Sequence, residues 1–198
     1  MTATHTNAEL ILASTSPRRK YLLEQAGLRF RVVPSPFDES GVPPDAPARY
    51  VRRLAEAKAD AVAALHPGAW VIGADTIVAE GRRLLGKPAS PEEAREMLAR
   101  LSGKTHQVYT GFCICRQAGR QRFVDAVGTD VTFKTLSPPE IDWYIRSGEP
   151  FDKAGAYAIQ GIGTFLVRRI KGSYSNVVGL PVCEVVEILI REGVLTLR

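Results

Sequence analysis

The sequence predicts a mixed α/β protein folded as one unit, and three observations carry that prediction. Apolar runs of strand length, such as Leu10–Ala13 and Trp70–Ala74, alternate with stretches whose apolar residues recur near every 3.6 positions. Serine and proline mark helix starts, and glycine marks a stop. No internal repeat or low-complexity linker interrupts the 198 residues, a length that suits one domain of roughly 100–200 residues.

Leu10–Ala13 reads as a short buried strand. Ser14-Thr15-Ser16-Pro17 then leads into a helix over Arg18–Ala26, closed by Gly27, because Ser before Pro at the first helical position and Gly after the last are start and stop signals. Phe30–Val33 is a second strand, and the proline-rich residues 34–47 form a loop. Tyr50–Leu65 carries Val51, Leu54, Ala55, Ala61, Val62 and Leu65 at close to helical period. Trp70–Ala74 is a buried strand expected to end at Asp75. Ile77–Ala79 and Arg83–Leu85 flank Glu80-Gly81-Arg82 as a hairpin. Pro91–Leu101 is a helix capped by Ser90, with Glu92 and Glu93 in the first turn, where carboxylates meet the positive end of the helix dipole. His106–Gln117 and Gln121–Thr135 are long strands joined by Ala118-Gly119-Arg120. Pro138–Ser147 is expected as a helix, Gly163–Lys171 as a strand and Leu180–Arg191 as the last helix. Residues 1–9 read as a poorly ordered tail, and residues 10–198 as one domain.

Composition excludes several classes. With 45% apolar and 24% charged residues, and with 17 Gly and 13 Pro dispersed, the chain is neither disordered, collagen-like nor a coiled coil. Three cysteines are too few and odd in number for a disulfide framework, so Cys113 and Cys115, on one face of a strand, read as buried thiols in a reducing compartment. The apolar run after the N-terminus is too short for a signal peptide, and no stretch reaches the roughly 18 apolar residues of a spanning helix. A soluble cytoplasmic protein without a membrane partner is therefore expected. The net charge of +5 is dispersed: residues 1–99 hold 13 basic and 12 acidic side chains, and the remainder hold 13 and 9. Nucleic-acid binding needs a clustered basic face or an aromatic-interleaved stripe, and neither is present, so no nucleic-acid partner is expected. His5, His66 and His106 form no close pair, which argues against a histidine metal site or a Ser-His-Asp relay.

Four segments carry chemistry. Ser14-Thr15-Ser16-Pro17-Arg18-Arg19 stands between a strand end and a helix start, where unpaired backbone N–H groups and a partial positive charge form an anion site. Ser14 and Ser16 hydroxyls and the two guanidiniums add phosphate donors there, although a capped helix with exposed arginines would use the same residues. Asp75 closes an apolar strand, at the position where open α/β sheets place their ligand crevice. It can serve as a base, hold a divalent cation, or merely cap a turn. Lys87, fixed between Gly86 and Pro88, suits phosphate contact. In residues 152–163, Gly155, Gly161 and Gly163 imply close approach to another chain segment or to a ligand. Gln160 has an amide able to read a nucleobase edge.

Together with Leu101-Ser102-Gly103-Lys104-Thr105-His106 and Val178-Gly179-Leu180-Pro181, these motifs run in order from about residue 10 to residue 190, and in that order the chain resembles the Maf family of nucleoside triphosphate pyrophosphatases. The resemblance implies an elongated α/β fold of two lobes around a central cleft, similar to inosine triphosphate pyrophosphatases. It implies metal-assisted hydrolysis, with Mg²⁺ or Mn²⁺, between the α and β phosphates of a nucleoside triphosphate. By the same resemblance Asp75 is the proton acceptor, and Arg18, Thr76 and Gln160 set substrate choice. Arg19, Lys58 and Lys87 hold the triphosphate, and Glu39 joins Asp75 in holding the metal. Arg18, Thr76 and Gln160 match the branch acting on dTTP and UTP rather than the branch preferring 7-methyl-GTP, while Ala158 stands where the family more often has Gly. A homodimer is also implied, and a regulatory role in septum formation is the reading from a different class.

Overall fold

A computed structural model describes residues 5–6 and 8–196. Its elements are β1 (His5–Thr6), β2 (Leu10–Leu12), α1 (Pro17–Gln25), β3 (Arg31–Val32), α2 (Pro47–Ala63), β4 (Trp70–Glu80), β5 (Arg83–Leu85), α3 (Pro91–Leu101), β6 (Thr105–Arg116), β7 (Gln121–Phe133), α4 (Pro138–Arg146), β8 (Val167–Lys171), α5 (Tyr174–Val178), α6 (Val182–Arg191) and β9 (Leu195–Thr196). Three 3₁₀ turns lie at Glu149–Asp152, Ala154–Ala156 and Gly161–Leu166. The class is α/β with a mixed sheet in the order β3-β2-β4-β6-β7-β8, and β5 pairs with β4. β2 is parallel to β3 and β4, whereas β4–β5 and β7–β8 are antiparallel. No helix among the described residues is long and apolar enough to cross a membrane.

The chain forms two compact units. One draws on the chain up to Asp75, on Thr110–Val127 and on the chain from Gly179; the other is built from Thr76–Tyr109 and Gly128–Val178. In the first, Ile11 and Val71 of the sheet and Ala13 just after β2 meet Ala55, Ala59 and Val62 of α2, with Cys113 and Cys115 in the same core. Two glycines let α2 lie this close. A Cβ on Gly73 would stand 2.4 Å from the Ala55 carbonyl oxygen, and one on Gly111 would stand 2.4 Å from that of Val51. Small residues on the helix and glycines on the facing strands thus bring α2 against β4, which fixes where position 58 falls. The second unit buries Leu98 and Leu101 of α3, Tyr144 of α4, Phe133 of β7 and Leu166 in one cluster. Each fully buried Leu or Phe there contributes about 1.5–3 kcal/mol relative to an exposed one.

Three expectations are corrected. β4 does not end at Asp75 but continues to Glu80, because Val78–Glu80 keep antiparallel partners on β5 and Ile77, Val78 and Ala79 stay buried. The parallel partner β2 is what stops, at Leu12 opposite Ile72. Gly163–Leu166 is 3₁₀ turn rather than strand: the Thr164 hydroxyl donates back to the Gly161 carbonyl at 2.7 Å, winding the chain before β8 starts at Val167. α6 starts at Val182, not Leu180, since a residue preceding proline is biased away from helical dihedrals. Of the expected tail, residues 1–4 and 7 lie outside the described residues, while His5–Thr6 pair with Leu195–Thr196 and the Glu9 carbonyl accepts from the Trp70 amide at 2.9 Å.

Candidate active site

The end of β2 passes directly into the first turn of α1. Ser16 is the N-cap, its Oγ accepting from the Arg19 amide at 3.4 Å, and Pro17 fills the first helical position, where no amide donor is needed. Ser14 Oγ accepts from the Ser16 amide at 3.2 Å and from Arg19 Nη1 at 3.2 Å. Arg19 Nε donates to the Gly179 carbonyl at 2.8 Å. The guanidinium is therefore held on two sides, by the Ser14 hydroxyl and by the chain segment that enters α6. This gives Val178-Gly179-Leu180-Pro181 a structural role that its sequence alone did not reveal. Arg18 precedes it on the same turn, half-buried.

The second group rests on α2. Lys58 Nζ lies 2.7 Å from Asp75 Oδ1 and 2.8 Å from Glu39 Oε1, so one ammonium joins two carboxylates. The Lys58 carbonyl accepts from Ser35 Oγ at 3.1 Å, which ties the proline-rich loop bearing Glu39 to the helix. Lys58 and Asp75 are 12% and 13% exposed at the side chain, and Glu39 is 50% exposed. Burial pushes the Asp75 carboxyl above its ordinary value, against the pull of Lys58 and Arg19. Burial also lowers the Arg19 guanidinium, against support from Asp75. Tyr50, half-buried in α2, is raised by burial and by the Asp75 and Glu39 charges. It belongs to the same neighbourhood, a residue that no motif singles out.

Ser14, Ser16, Arg19, Lys58, Glu39 and Asp75 are thus all in the first unit, linked by hydrogen bonds, ion pairs and charge. Arg18 is in the first unit as well, and the remaining expected residues, Thr76, Lys87 and Gln160, are in the second. Thr76 follows Asp75 in β4 and is half-buried. Lys87 is exposed in the loop between β5 and α3, next to Gly86, whose carbonyl accepts from the Gly155 amide at 2.9 Å. Gln160 immediately precedes the Gly161–Leu166 turn and lines an open groove of about 560 Å³ with Thr164, Arg168, Arg169 and Tyr174.

Two carboxylates converging on one cation supply the hard oxygen donors that a magnesium-class ion takes from protein when substrate phosphates complete its shell. Among the described residues no set of three or more His, Cys, Asp or Glu gathers as a metal cage. The residues fit a cation shared with a phosphate ligand. The arrangement combines a base-capable carboxylate, held among cations, with a helix N-terminus lined by hydroxyls and a fixed guanidinium, which is machinery for attack on a polyanion.

Comparison with known proteins follows the same line. Residues 9–192 match the family described as Maf-like protein. A dTTP/UTP pyrophosphatase of Syntrophus aciditrophicus (strain SB) is 51% identical over 188 residues, covering 95% of this chain and 92% of its own. A dTTP/UTP pyrophosphatase of Myxococcus xanthus (strain DK1622) is 56% identical over 184 residues, covering 93% and 92%. Among solved structures, a HAM1 protein from Coxiella burnetii matches 64% of this chain and 73% of that chain with 15% identity and a TM-score of 0.43.

Proposed function

The chain belongs to the Maf-like protein family, and from that premise we propose that it is a nucleoside triphosphate pyrophosphatase acting on dTTP and UTP. The observation that carries the mechanism is the buried Asp75 carboxylate on Lys58, whose charge environment also takes in Arg19.

The triphosphate is bound as an anion at the start of α1, by the Ser14 and Ser16 hydroxyls and the Arg19 guanidinium, with Lys58 as a further cation, and Lys87 is read as a phosphate-binding residue from the family resemblance alone. Asp75 takes a proton from a water molecule as the water oxygen bonds to the α phosphorus. The bond from that phosphorus to the bridging oxygen breaks, and pyrophosphate leaves with the bonding electrons. The product is the nucleoside monophosphate. A carboxyl raised by burial is a better base than a solvated one, and Lys58 and Arg19 pull against that rise. Glu39 and Asp75 would hold a divalent cation, Mg²⁺ or Mn²⁺, which supplies charge neutralisation to the phosphates. Arg18, Thr76 and Gln160 set substrate choice. The Gln160 amide both donates and accepts, matching O4 and N3–H of uracil or thymine and leaving unpaired polar groups against a wrong base. The enzyme is read as cytoplasmic and without a nucleic-acid partner, supported by its sparse free cysteines and dispersed charge, and its reading as a homodimer rests on the family resemblance alone.

The test is pyrophosphate release from a panel of UTP, dTTP, CTP, GTP and 7-methyl-GTP with Mg²⁺ or Mn²⁺. The expected result is highest kcat/KM for UTP and dTTP, and a loss of at least about a hundredfold in Asp75→Asn. Preference for 7-methyl-GTP would transfer the protein to the other branch of the family, and full activity in Asp75→Asn would remove the base.

A further inference from the structure

Glu149 has no part in the chemistry above, yet its carboxylate is among the most fully engaged in the molecule. Oε1 accepts from the Gly163 amide at 2.9 Å and from the Tyr144 hydroxyl at 2.8 Å, and Oε2 accepts from the Ile162 amide at 2.9 Å. The Tyr144 hydroxyl in turn accepts from the Ala158 amide at 3.1 Å. Lys153 Nζ donates to the Glu149 carbonyl at 2.8 Å and fixes the backbone from which the carboxylate extends. One buried tyrosine and one carboxylate therefore grip the chain at residues 158, 162 and 163, on both sides of Gln160.

The glycines of this segment are shaped to the same grip. Gly161 has φ +69°, and a Cβ there would stand 2.5 Å from Glu149 Oε2. A Cβ on Gly163 would stand 2.7 Å from the Tyr144 hydroxyl and 2.4 Å from the Ala158 carbonyl oxygen. The close approach implied by these glycines in the sequence is thus, for these two, to Glu149, Tyr144 and the segment's own backbone. Burial pushes the Glu149 carboxyl up, but hydrogen bonds from the Gly163 amide, the Tyr144 hydroxyl and the Ile162 amide outweigh it and hold the group below its ordinary value. It is ionised at neutral pH, so the contacts are charge-assisted and roughly twice as strong as neutral ones. Ala158, Gly161 and Gly163 offer almost no side-chain bulk for packing to hold, so the conformation depends on these bonds together with those the Thr164 hydroxyl donates to the Ile159 and Gly161 carbonyls.

We propose that Glu149 and Tyr144 are positioning residues that hold the 158–163 segment in the one conformation that presents the Gln160 amide to the base, and so set base discrimination without touching substrate. The proposal rests on the reading of Gln160 as the base-contacting residue. A hydrogen-bonding amide displaced by a fraction of its bond length loses its geometry with the correct base, so discrimination falls before the chemical step does.

The experiment compares wild type, Glu149→Ala, Glu149→Gln, Tyr144→Phe, Gln160→Ala and the double variant Glu149→Ala/Gln160→Ala. It measures kcat and KM for UTP and CTP, together with amide hydrogen exchange across residues 158–163. Thermal unfolding of each variant confirms that it is folded, and Glu149→Gln, which keeps an acceptor and nearly the same shape, covers the case in which Glu149→Ala is not. The preference for UTP over CTP is expected to fall about tenfold in Glu149→Ala and Tyr144→Phe through KM, the size of one lost hydrogen bond, with kcat within about twofold. Glu149→Gln is expected to recover part of the preference, and the double variant to lose no more than Gln160→Ala alone. Exchange at Ile162 and Gly163 is expected to quicken. Loss of preference in Gln160→Ala with full preference in Glu149→Ala and Tyr144→Phe overturns this proposal and spares the reading of Gln160. Unchanged preference in Gln160→Ala overturns both.

Discussion

Replacing Lys58 by methionine keeps the length of the stem and removes one charge. The ammonium lies 2.7 Å from Asp75, and the two side chains are 12% and 13% exposed, so little solvent is present to take over its role. Removing one partner from a pair this buried costs about 3 kcal/mol, because a carboxylate is left in low dielectric without its nearest cation. Glu39, half-exposed, adds little to that figure. In a chain of this length the loss corresponds to a fall in Tm of roughly 6–12 °C at neutral pH. The sign of the pH dependence separates charge from packing. Burial already holds the folded Asp75 above its ordinary value of 3.8, and loss of Lys58 lifts it further. A carboxyl raised in the folded state binds its proton more tightly there than in the unfolded chain. The deficit of the variant is therefore absent below the ordinary aspartate value and opens as pH climbs through the raised folded value. Urea unfolding of wild type and Lys58→Met, at about pH 4 and about pH 8, measures it. A deficit of equal size at both pH values would show that only packing of the stem was lost, and would refute the electrostatic reading of the pair.

Two further outcomes follow from the fold. His106 is 2% exposed, with Nε2 2.7 Å from the Tyr157 hydroxyl, and burial pushes its pKa down to about 4 from 6.5. A histidine depressed in the folded state contributes stability that is full above the unfolded value and lost as pH falls towards the folded one, about 3 kcal/mol between those limits. In His106→Gln the urea midpoint should lose much of this slope between about pH 6.5 and 4; an unchanged slope would assign the acid sensitivity elsewhere. Gly73→Ala places a Cβ 2.4 Å from the Ala55 carbonyl oxygen and should cost at least about 1–3 kcal/mol in urea unfolding, with reduced turnover as α2 shifts Lys58 away from Asp75. Wild-type stability in that variant would contradict the close approach.

The parts of the fold readable in the sequence are those with local causes. Ser16-Pro17 and Ser90-Pro91 start α1 and α3 as expected, because capping is decided within three or four residues. The helix period of α2 and the long β6–β7 pair were legible from apolar spacing alone. The expected end of β4 falls short because Asp is depleted in strands, which marks Asp75 as a terminus, whereas its carboxylate is met by Lys58, 17 residues earlier in the chain. That pairing depends on Gly73 and Gly111 admitting α2 to the sheet, a contact between distant segments that periodicity does not encode. The site was legible in the same measure. The serine–arginine turn showed its chemistry locally, but Gly179 as the support of Arg19 became apparent only when α6 was in place 160 residues later. Glu149 gave no signal at all, since its partners are mainly backbone amides.

The central claim is that this chain cleaves between the α and β phosphates of UTP and dTTP. Product analysis after partial turnover of UTP tests it most directly, with nucleotides and phosphates separated by ion-exchange chromatography. UMP and pyrophosphate are expected in equal amounts, with no UDP. Formation of UDP and inorganic phosphate, or no turnover of UTP or dTTP with either metal, would contradict it.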